Sequence, residues 1–192
     1  FTPWHTEVRL DGELIYEQPW DLQGRPVLIQ FESRSLGDTL AWIPYCEEFR
    51  KKWNPKLIVS TFMNSLFESQ YPEIQFIEPG SPVSHICAQY RLGWFYRADG
   101  TINLDLNPLD PKLGPLQKTA TDILGLEYKE IRPRLNRPQV EKKRRVGIGF
   151  HSTAQAKYWN NPTGWQEVVD WLRAEGYECV IYSREGDGYM NN

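Results

Sequence analysis

An apolar run, Val27-Leu28-Ile29-Gln30-Phe31, leads through a short polar turn into Ser35-Leu36-Gly37-Asp38-Thr39-Leu40-Ala41-Trp42-Ile43-Pro44. Trp42, Cys46, Phe49 and Trp53 then follow one another at spacings of four, three and four. The first pattern is a buried strand and the second is one face of a helix over about residues 38–53. Pro44 falls inside that helix and predicts a bend or a shifted start. Asn54-Pro55 ends it, and the alternation repeats. Leu57-Ile58-Val59-Ser60-Thr61 reads as a strand, Ser65–Gln70 as a short helical segment, and Gln75-Phe76-Ile77 as a third strand closed by Pro79-Gly80. The order β-α-β-α-β predicts an α/β fold, a parallel sheet covered by helices.

Outside this frame, residues 7–17 read as a hairpin. Val8 and Leu10 alternate with polar residues before Asp11-Gly12, and Leu14 and Tyr16 continue the alternation after it. A second hairpin is expected about Asp99-Gly100, with arms Gln89–Arg97 and Thr101–Leu106. Pro115–Leu124 reads as a helix stopped by Gly125. Residues 132–145 contain Pro133, Pro138 and the run Lys142-Lys143-Arg144-Arg145, the marks of a linker. Four basic residues are few for attachment to a membrane surface.

A second α/β unit begins at Val146-Gly147-Ile148-Gly149-Phe150 and continues through a helix at 162–174 to the strand Cys179–Tyr182. Val168, Val169, Trp171 and Leu172 are expected mostly on one side of that helix. Either Thr163 with Gln166 or Asn161 before Pro162 is a suitable cap. The expected organisation is therefore a hairpin extension at 1–26, a Rossmann-like domain at 27–131, a linker at 132–145 and the start of a second Rossmann-like domain at 146–192. That last stretch is short for a complete doubly wound domain, and the first residue is Phe1 rather than Met. The expectation is a piece of a longer protein.

The 192 residues carry 22 basic and 25 acidic side chains, a net charge of -3, which argues against a general nucleic-acid binder. No apolar run approaches the ~20 residues of a membrane span, and no secretory leader is visible. Most of the eight Trp are expected in the core or at interfaces. Cys46, Cys87 and Cys179 are far apart and lack metal-ligand spacing. They are expected to be reduced and mostly buried, in a cytoplasmic protein.

Two constellations carry candidate chemistry. Gly37-Asp38 lies at a strand-to-helix turn, and in open α/β sheets ligands bind beyond the carboxyl ends of the strands. A carboxylate there serves as a general base, or it caps the helix while Gly37 shapes the turn. The second is the loop His151-Ser152-Thr153-Ala154-Gln155-Ala156-Lys157-Tyr158-Trp159, between a strand end and a helix start. Hydroxyls, free amides and a helix dipole suit a phosphate there, with Lys157 adding a full charge. The alternative is a polar surface loop. Neither a dinucleotide fingerprint nor a P-loop is present. Arg34 is open to two readings, a guide for phosphate or an exposed charge.

These segments resemble heptosyltransferases of the glycosyltransferase family 9 type, in particular the autotransporter O-heptosyltransferases. The carrying residues are Phe31-Glu32-Ser33 with the segment 35–45, then Tyr90-Arg91-Leu92-Gly93-Trp94-Phe95, Pro115–Ala120, Asp122-Ile123-Leu124-Gly125-Leu126 and the loop at 150–159. The resemblance implies a GT-B architecture of two Rossmann-like domains. It implies an ADP-heptose donor, a serine hydroxyl on an autotransporter adhesin's passenger domain as acceptor, and inversion at the anomeric carbon. Asp38 becomes the expected base and Gly37 its acceptor-side turn. Ser152, Thr153 and Lys157 become expected contacts of the donor diphosphate, with His151 a possible further donor contact. Transfer would need no metal, and no Asp-x-Asp pair is present to hold one. The family's iron would belong to a C-terminal cysteine cluster outside this sequence, and homo-oligomers are expected of the full-length protein. A lipopolysaccharide-core heptosyltransferase with a saccharide acceptor, and a non-catalytic Rossmann-like interaction module, are the competing readings.

Overall fold

A computed structural model describes residues 5–107, 109–110, 113–152 and 155–182. They divide into two compact units between Arg137 and Pro138.

In the first unit, β1 (Thr6–Leu10) and β2 (Glu13–Gln18) form the expected antiparallel hairpin. Asp11 and Gly12 make its turn with φ of 48° and 85°, the left-handed pair that Asp-Gly supplies in tight hairpins. Val8, Leu10, Leu14, Ile15 and Tyr16 all stay exposed, so the hairpin stands outside the core.

The core is a parallel sheet of β3 (Pro26–Phe31), β4 (Lys56–Ser60), β5 (Gln75–Ile77) and β6 (Ala88–Leu92) in the order β5-β4-β3-β6. Val27 pairs with Leu57 on one side and Ala88 on the other. Flanked by strands on both edges, β3 buries Val27, Leu28, Ile29 and Phe31, the continuous apolar run of a strand covered on both faces. The helix α1 (Leu36–Trp53) packs on this sheet through Trp42, Ile43, Cys46 and Phe49. It starts earlier than expected and runs on through Pro44, which is itself buried. One lost amide donor is outweighed by the apolar face on either side of it. Asn54 ends the helix in the left-handed region, at φ 48°.

The second expected hairpin is much reduced. Its first arm belongs largely to β6, and what remains is a single antiparallel bridge between Tyr96 and Ile102 around Asp99-Gly100. Gln89 and Arg91 are exposed while Ala88, Tyr90 and Leu92 are covered. That alternation fits a hairpin arm or a sheet-edge strand equally, and the open edge of β3 decides between them. The segment expected to be helical at 65–70 is a 3₁₀ turn, Asn64–Leu66, followed by further turns. The buried Asn64 organises it, accepting from the Thr61 amide and hydroxyl and donating to the Ile77 carbonyl at 2.8 Å. The helix α2 (Leu116–Leu124) ends at Gly125, φ 65°, as read from the sequence.

The chain beyond α2 is fastened to the first unit as far as Arg134. Tyr45 Oη donates to the Lys129 carbonyl at 2.8 Å, and the Arg134 amide donates to Tyr71 Oη at 2.9 Å. The Arg134 guanidinium lies 4.2 Å from the Tyr71 ring centre and 3.7 Å from the Glu47 carboxylate. Glu47 is buried on α1 and receives both Nε and Nη2 of Arg50, at 2.8 and 3.1 Å. These hydrogen bonds hold its carboxyl below the ordinary value against the opposing push of burial, and the charges of Arg50, Lys51 and Arg134 act in the same direction.

The second unit is a β-α-β element: β7 (Arg145–Ile148), α3 (Gly164–Ala174) and β8 (Glu178–Ile181), with the strands parallel. Ile148, Phe150 and Val169 form its core. Trp171 is 62 % exposed, contrary to expectation. The covered face of α3 is the stripe Trp165, Val168, Val169, Leu172, and at 100° per residue Trp171 lies well off it.

Two stability outcomes follow. Gly93, just after β6, is buried, and a Cβ there would lie 2.6 Å from Glu32 Cβ. Gly93→Ala is expected to destabilise by about 1–3 kcal/mol in urea unfolding. Glu47 binds its proton more weakly folded than unfolded, so its contribution is present above the ordinary value of 4.5 and is lost as pH falls through the folded value. The stability gap between wild type and Glu47→Gln should be full at neutral pH and close on acidification.

Candidate active site

The chain steps from β3 outward to β4 and β5, then returns to place β6 on the other side of β3. The order of connection reverses between β3 and β6, and the crevice beyond their carboxyl ends is where such sheets bind ligands. Its rim is firmly built. The Glu32 amide donates to the Leu92 carbonyl at 2.8 Å, and Arg91 Nε reaches the Glu32 carboxylate at 2.6 Å. The Arg91 guanidinium also lies 5.1 Å from the Phe95 ring centre.

Asp38 sits in the first turn of α1, beside this crevice. Ser33 Oγ donates to Asp38 Oδ2 at 2.5 Å and itself accepts the Ser35 amide at 3.0 Å. Among the described residues Ser33 is the one hydrogen-bond partner of that carboxylate. Asp38 therefore does not cap the helix by bonding its amides. Ser35 is the N-cap, and its side chain makes no capping bond. Its carbonyl accepts the Thr39 amide and hydroxyl at 3.1 and 2.9 Å. Gly37 also departs from the turn-shaping alternative. It lies inside α1 without a positive φ, and an added Cβ would meet only Ser35 Oγ, at 3.7 Å. The fold does not demand glycine there. Arg34 lays its guanidinium 4.8 Å from the centre of the exposed Phe62 ring.

In the second unit, the loop after β7 is braced by rings. His151 lies between Phe150 at 4.1 Å and Tyr158 at 6.2 Å, and Tyr158 Oη donates to the Ser152 carbonyl at 3.1 Å. Trp159 stands edge-on to Trp165 at 5.1 Å and covers Gly164, where a Cβ would lie 2.6 Å from the indole. Thr163 is the N-cap of α3 but makes no side-chain capping bond; Asn161 Oδ1 instead accepts the amides of Thr163 and Gly164, both at 3.1 Å. Those two amides are thereby engaged. Among the described residues, this loop carries the Ser152 hydroxyl and the Lys157 ammonium, the latter exposed at the end of a 3₁₀ turn. Thr153 lies outside the described residues. The structure thus groups Gly37 and Asp38 with Ser33 in one unit, and His151, Ser152 and Lys157 in the other.

Sequence reading missed Ser33. Its signal is the Ser33-x-Ser35 spacing, which lets a hydroxyl accept an amide two residues on. No three His, Cys, Asp or Glu side chains converge as metal ligands among the described residues. Burial pushes the Cys46 thiol up, away from the thiolate a metal needs. Cys87 and Cys179 are half-buried and, like Cys46, without a disulfide. No helix among the described residues is long and apolar enough to cross a membrane.

No protein-family profile matches the chain. It is 37% identical over 186 residues to the autotransporter heptosyltransferase TibC of enterotoxigenic Escherichia coli, covering 93% of this chain and 45% of TibC. It is 38% identical over 184 residues to the autotransporter heptosyltransferase Aah of Escherichia coli, covering 90% and 45%. A Burkholderia thailandensis relative named as an inactive autotransporter heptosyltransferase, BimC, is 32% identical over 189 residues, covering 94% and 43%. The crystal structure of TibC, described as an iron-containing dodecameric glycosyltransferase, matches with a TM-score of 0.84 at 33% identity, covering 98% of this chain and 51% of that one. TibC in complex with ADP-D-beta-D-heptose matches with a TM-score of 0.83. The chain thus spans about half the length of the curated relatives it matches. Over that span, by sequence and by fold, it is similar to the autotransporter heptosyltransferases.

Proposed function

We propose that the full-length gene product transfers heptose from ADP-heptose to serine hydroxyls of an autotransporter adhesin, with Asp38 as the base. The observation that carries this reading is the Asp38 carboxylate beside the β3–β6 switch point, held by the Ser33 hydroxyl. The relatives named as autotransporter heptosyltransferases support the donor and favour an adhesin over a lipopolysaccharide saccharide. In this reading residues 27–131 are the acceptor-side domain and 146–192 begin the donor domain of a GT-B enzyme.

The chemistry follows from the residue types. A serine hydroxyl is a weak nucleophile, and a carboxylate within hydrogen-bond reach takes its proton as attack develops. The serine oxygen bonds to the anomeric carbon while the bond from that carbon to the diphosphate oxygen breaks. The proton passes to Asp38, and ADP leaves with the electron pair. Displacement from the opposite face inverts the centre, as a carboxylate-activated water does in inverting glycosidases. Lys157 and Ser152, with Thr153 beside them in sequence, would meet the charge gathering on the departing diphosphate. His151, in ring contact with Phe150 and near Tyr158, is a further donor contact in this scheme. Iron of the kind TibC contains would be held by residues beyond this stretch, and no step here passes through it. Three cysteines without a disulfide fit a cytoplasmic reaction. Assembly into homo-oligomers belongs to the same reading.

The inactive relative favours one alternative, a non-catalytic member of the family. Transfer of heptose by the full-length protein to a co-expressed adhesin decides between them, and no transfer would leave the non-catalytic reading. Asp38→Asn is expected to lower the transfer rate by about 10²–10⁴ while calorimetry with ADP-heptose shows unchanged affinity. A wild-type rate would remove the base. Lys157→Ala should weaken ADP-heptose binding by about 10–100-fold, the loss of one charge-assisted contact. Gly37→Ala should leave the unfolding free energy unchanged or raised, by up to about 1 kcal/mol. It should also cut kcat/KM for the acceptor by about tenfold or more, through displacement at the reacting centre.

A further inference from the structure

We infer that Ser33 is a positioning residue for Asp38: its hydroxyl keeps the carboxylate off the helix amides and fixes one oxygen, leaving the other for the acceptor. This rests on the reading of Asp38 as base.

Asp38 is the third residue of α1, and Ser35 is the N-cap. In the common capping box, an acidic or amide side chain at that third position reaches back to the N-cap amide. Asp38 is placed to do so with the Ser35 amide, and a carboxylate bound there would serve the helix end. Ser33 Oγ intercepts that amide instead, at 3.0 Å. A hydroxyl has one proton and two lone pairs. With one lone pair taken by the Ser35 amide, Ser33 turns its proton to Asp38 Oδ2, at 2.5 Å. The backbone therefore orients the hydroxyl, and the hydroxyl orients the carboxylate. Ser33 lies directly beyond the end of β3, and its neighbour Glu32 is tied to β6 by a backbone bond and by the Arg91 ion pair. The arrangement is thus anchored to the sheet rather than to a loose loop.

Without the Ser33 hydroxyl, the Ser35 amide becomes available to Asp38, and the capping geometry competes with the base geometry. Helix stability is kept in that exchange and reactivity is lost, a split that a merely structural serine would not produce.

The test is a mutant cycle on the full-length protein with ADP-heptose and a co-expressed or purified adhesin acceptor. Ser33→Ala should lower kcat by about tenfold or more, with KM for the acceptor, affinity for ADP-heptose and the unfolding midpoint all close to wild type. Ser33→Thr, which retains a hydroxyl, should recover most of the lost kcat. In the Asp38→Ala background, Ser33→Ala should have no further effect, because residues acting as a unit are not additive. The inference is overturned if Ser33→Ala keeps the wild-type kcat, if threonine is no better than alanine, or if Ser33→Ala slows the Asp38→Ala enzyme by the same factor as the wild type. If Asp38→Ala itself keeps the full rate, the base reading falls and this inference with it. If Asp38→Ala loses the rate and Ser33→Ala does not, the positioning role alone is rejected.

Discussion

The indole of Trp42 is the point at which the first unit is held together. It is fully buried, meets Phe31 of β3 edge-on with ring centres 5.9 Å apart, and meets Trp94 beyond β6 at the same distance. Its Nε1 donates to the Leu116 carbonyl at the start of α2, at 3.0 Å. One side chain thus joins the central strand, the two helices and the rim of the crevice. A tryptophan combines a large apolar body with one donor that must find a partner when buried. Here the body carries the packing and the donor sets how α2 docks. Asp38 lies one turn before Trp42 on the same helix, so the depth to which the indole seats also sets where the carboxylate stands.

The strands and helices that position the site are legible because their periods are strong. The Val27–Phe31 run has no plausible place except a strand covered on both faces, and the stripe of Trp42, Cys46 and Phe49 has none except against it. Gly125 and Asp11-Gly12 are legible for a different reason, since each supplies a positive φ that the backbone requires there. The misreadings come where a pattern is local and its partner is not. The alternation of Gln89 to Leu92 records one covered face but not which strand provides the other edge. Hydrophobicity groups Trp171 with its neighbours, although its angle on the helix sets it apart.

The site shows the same division. That a carboxylate would stand at this turn is visible in the order of residues, but what it does there is not. Capping and proton transfer need the same residue at the same place and differ only in which donor the carboxylate meets. A serine two residues before the N-cap settles the competition for the Ser35 amide, and that contest is three-dimensional. The loop at 150–159 is a comparable case. Its hydroxyls, Lys157 and the amides of the following helix start are together the expected partners of an anion, and Asn161 occupies two of those amides.

The proposed roles also explain where the charges near Asp38 are absent. A carboxylate locked against a guanidinium is a poor proton acceptor, because the ionised form is the one the cation stabilises. Both arginines on this rim are directed elsewhere: Arg34 onto the Phe62 ring, and Arg91 onto Glu32 and the Phe95 ring. Asp38 is left with a neutral hydroxyl as its partner. A neutral donor orients the carboxylate without setting a full positive charge against it. In the proposed scheme the diphosphate has the opposite need, since its charge grows as it departs, and Lys157, exposed in the second unit, would meet it. A cation with the leaving group and a hydroxyl with the base would let each favour its own half of the displacement.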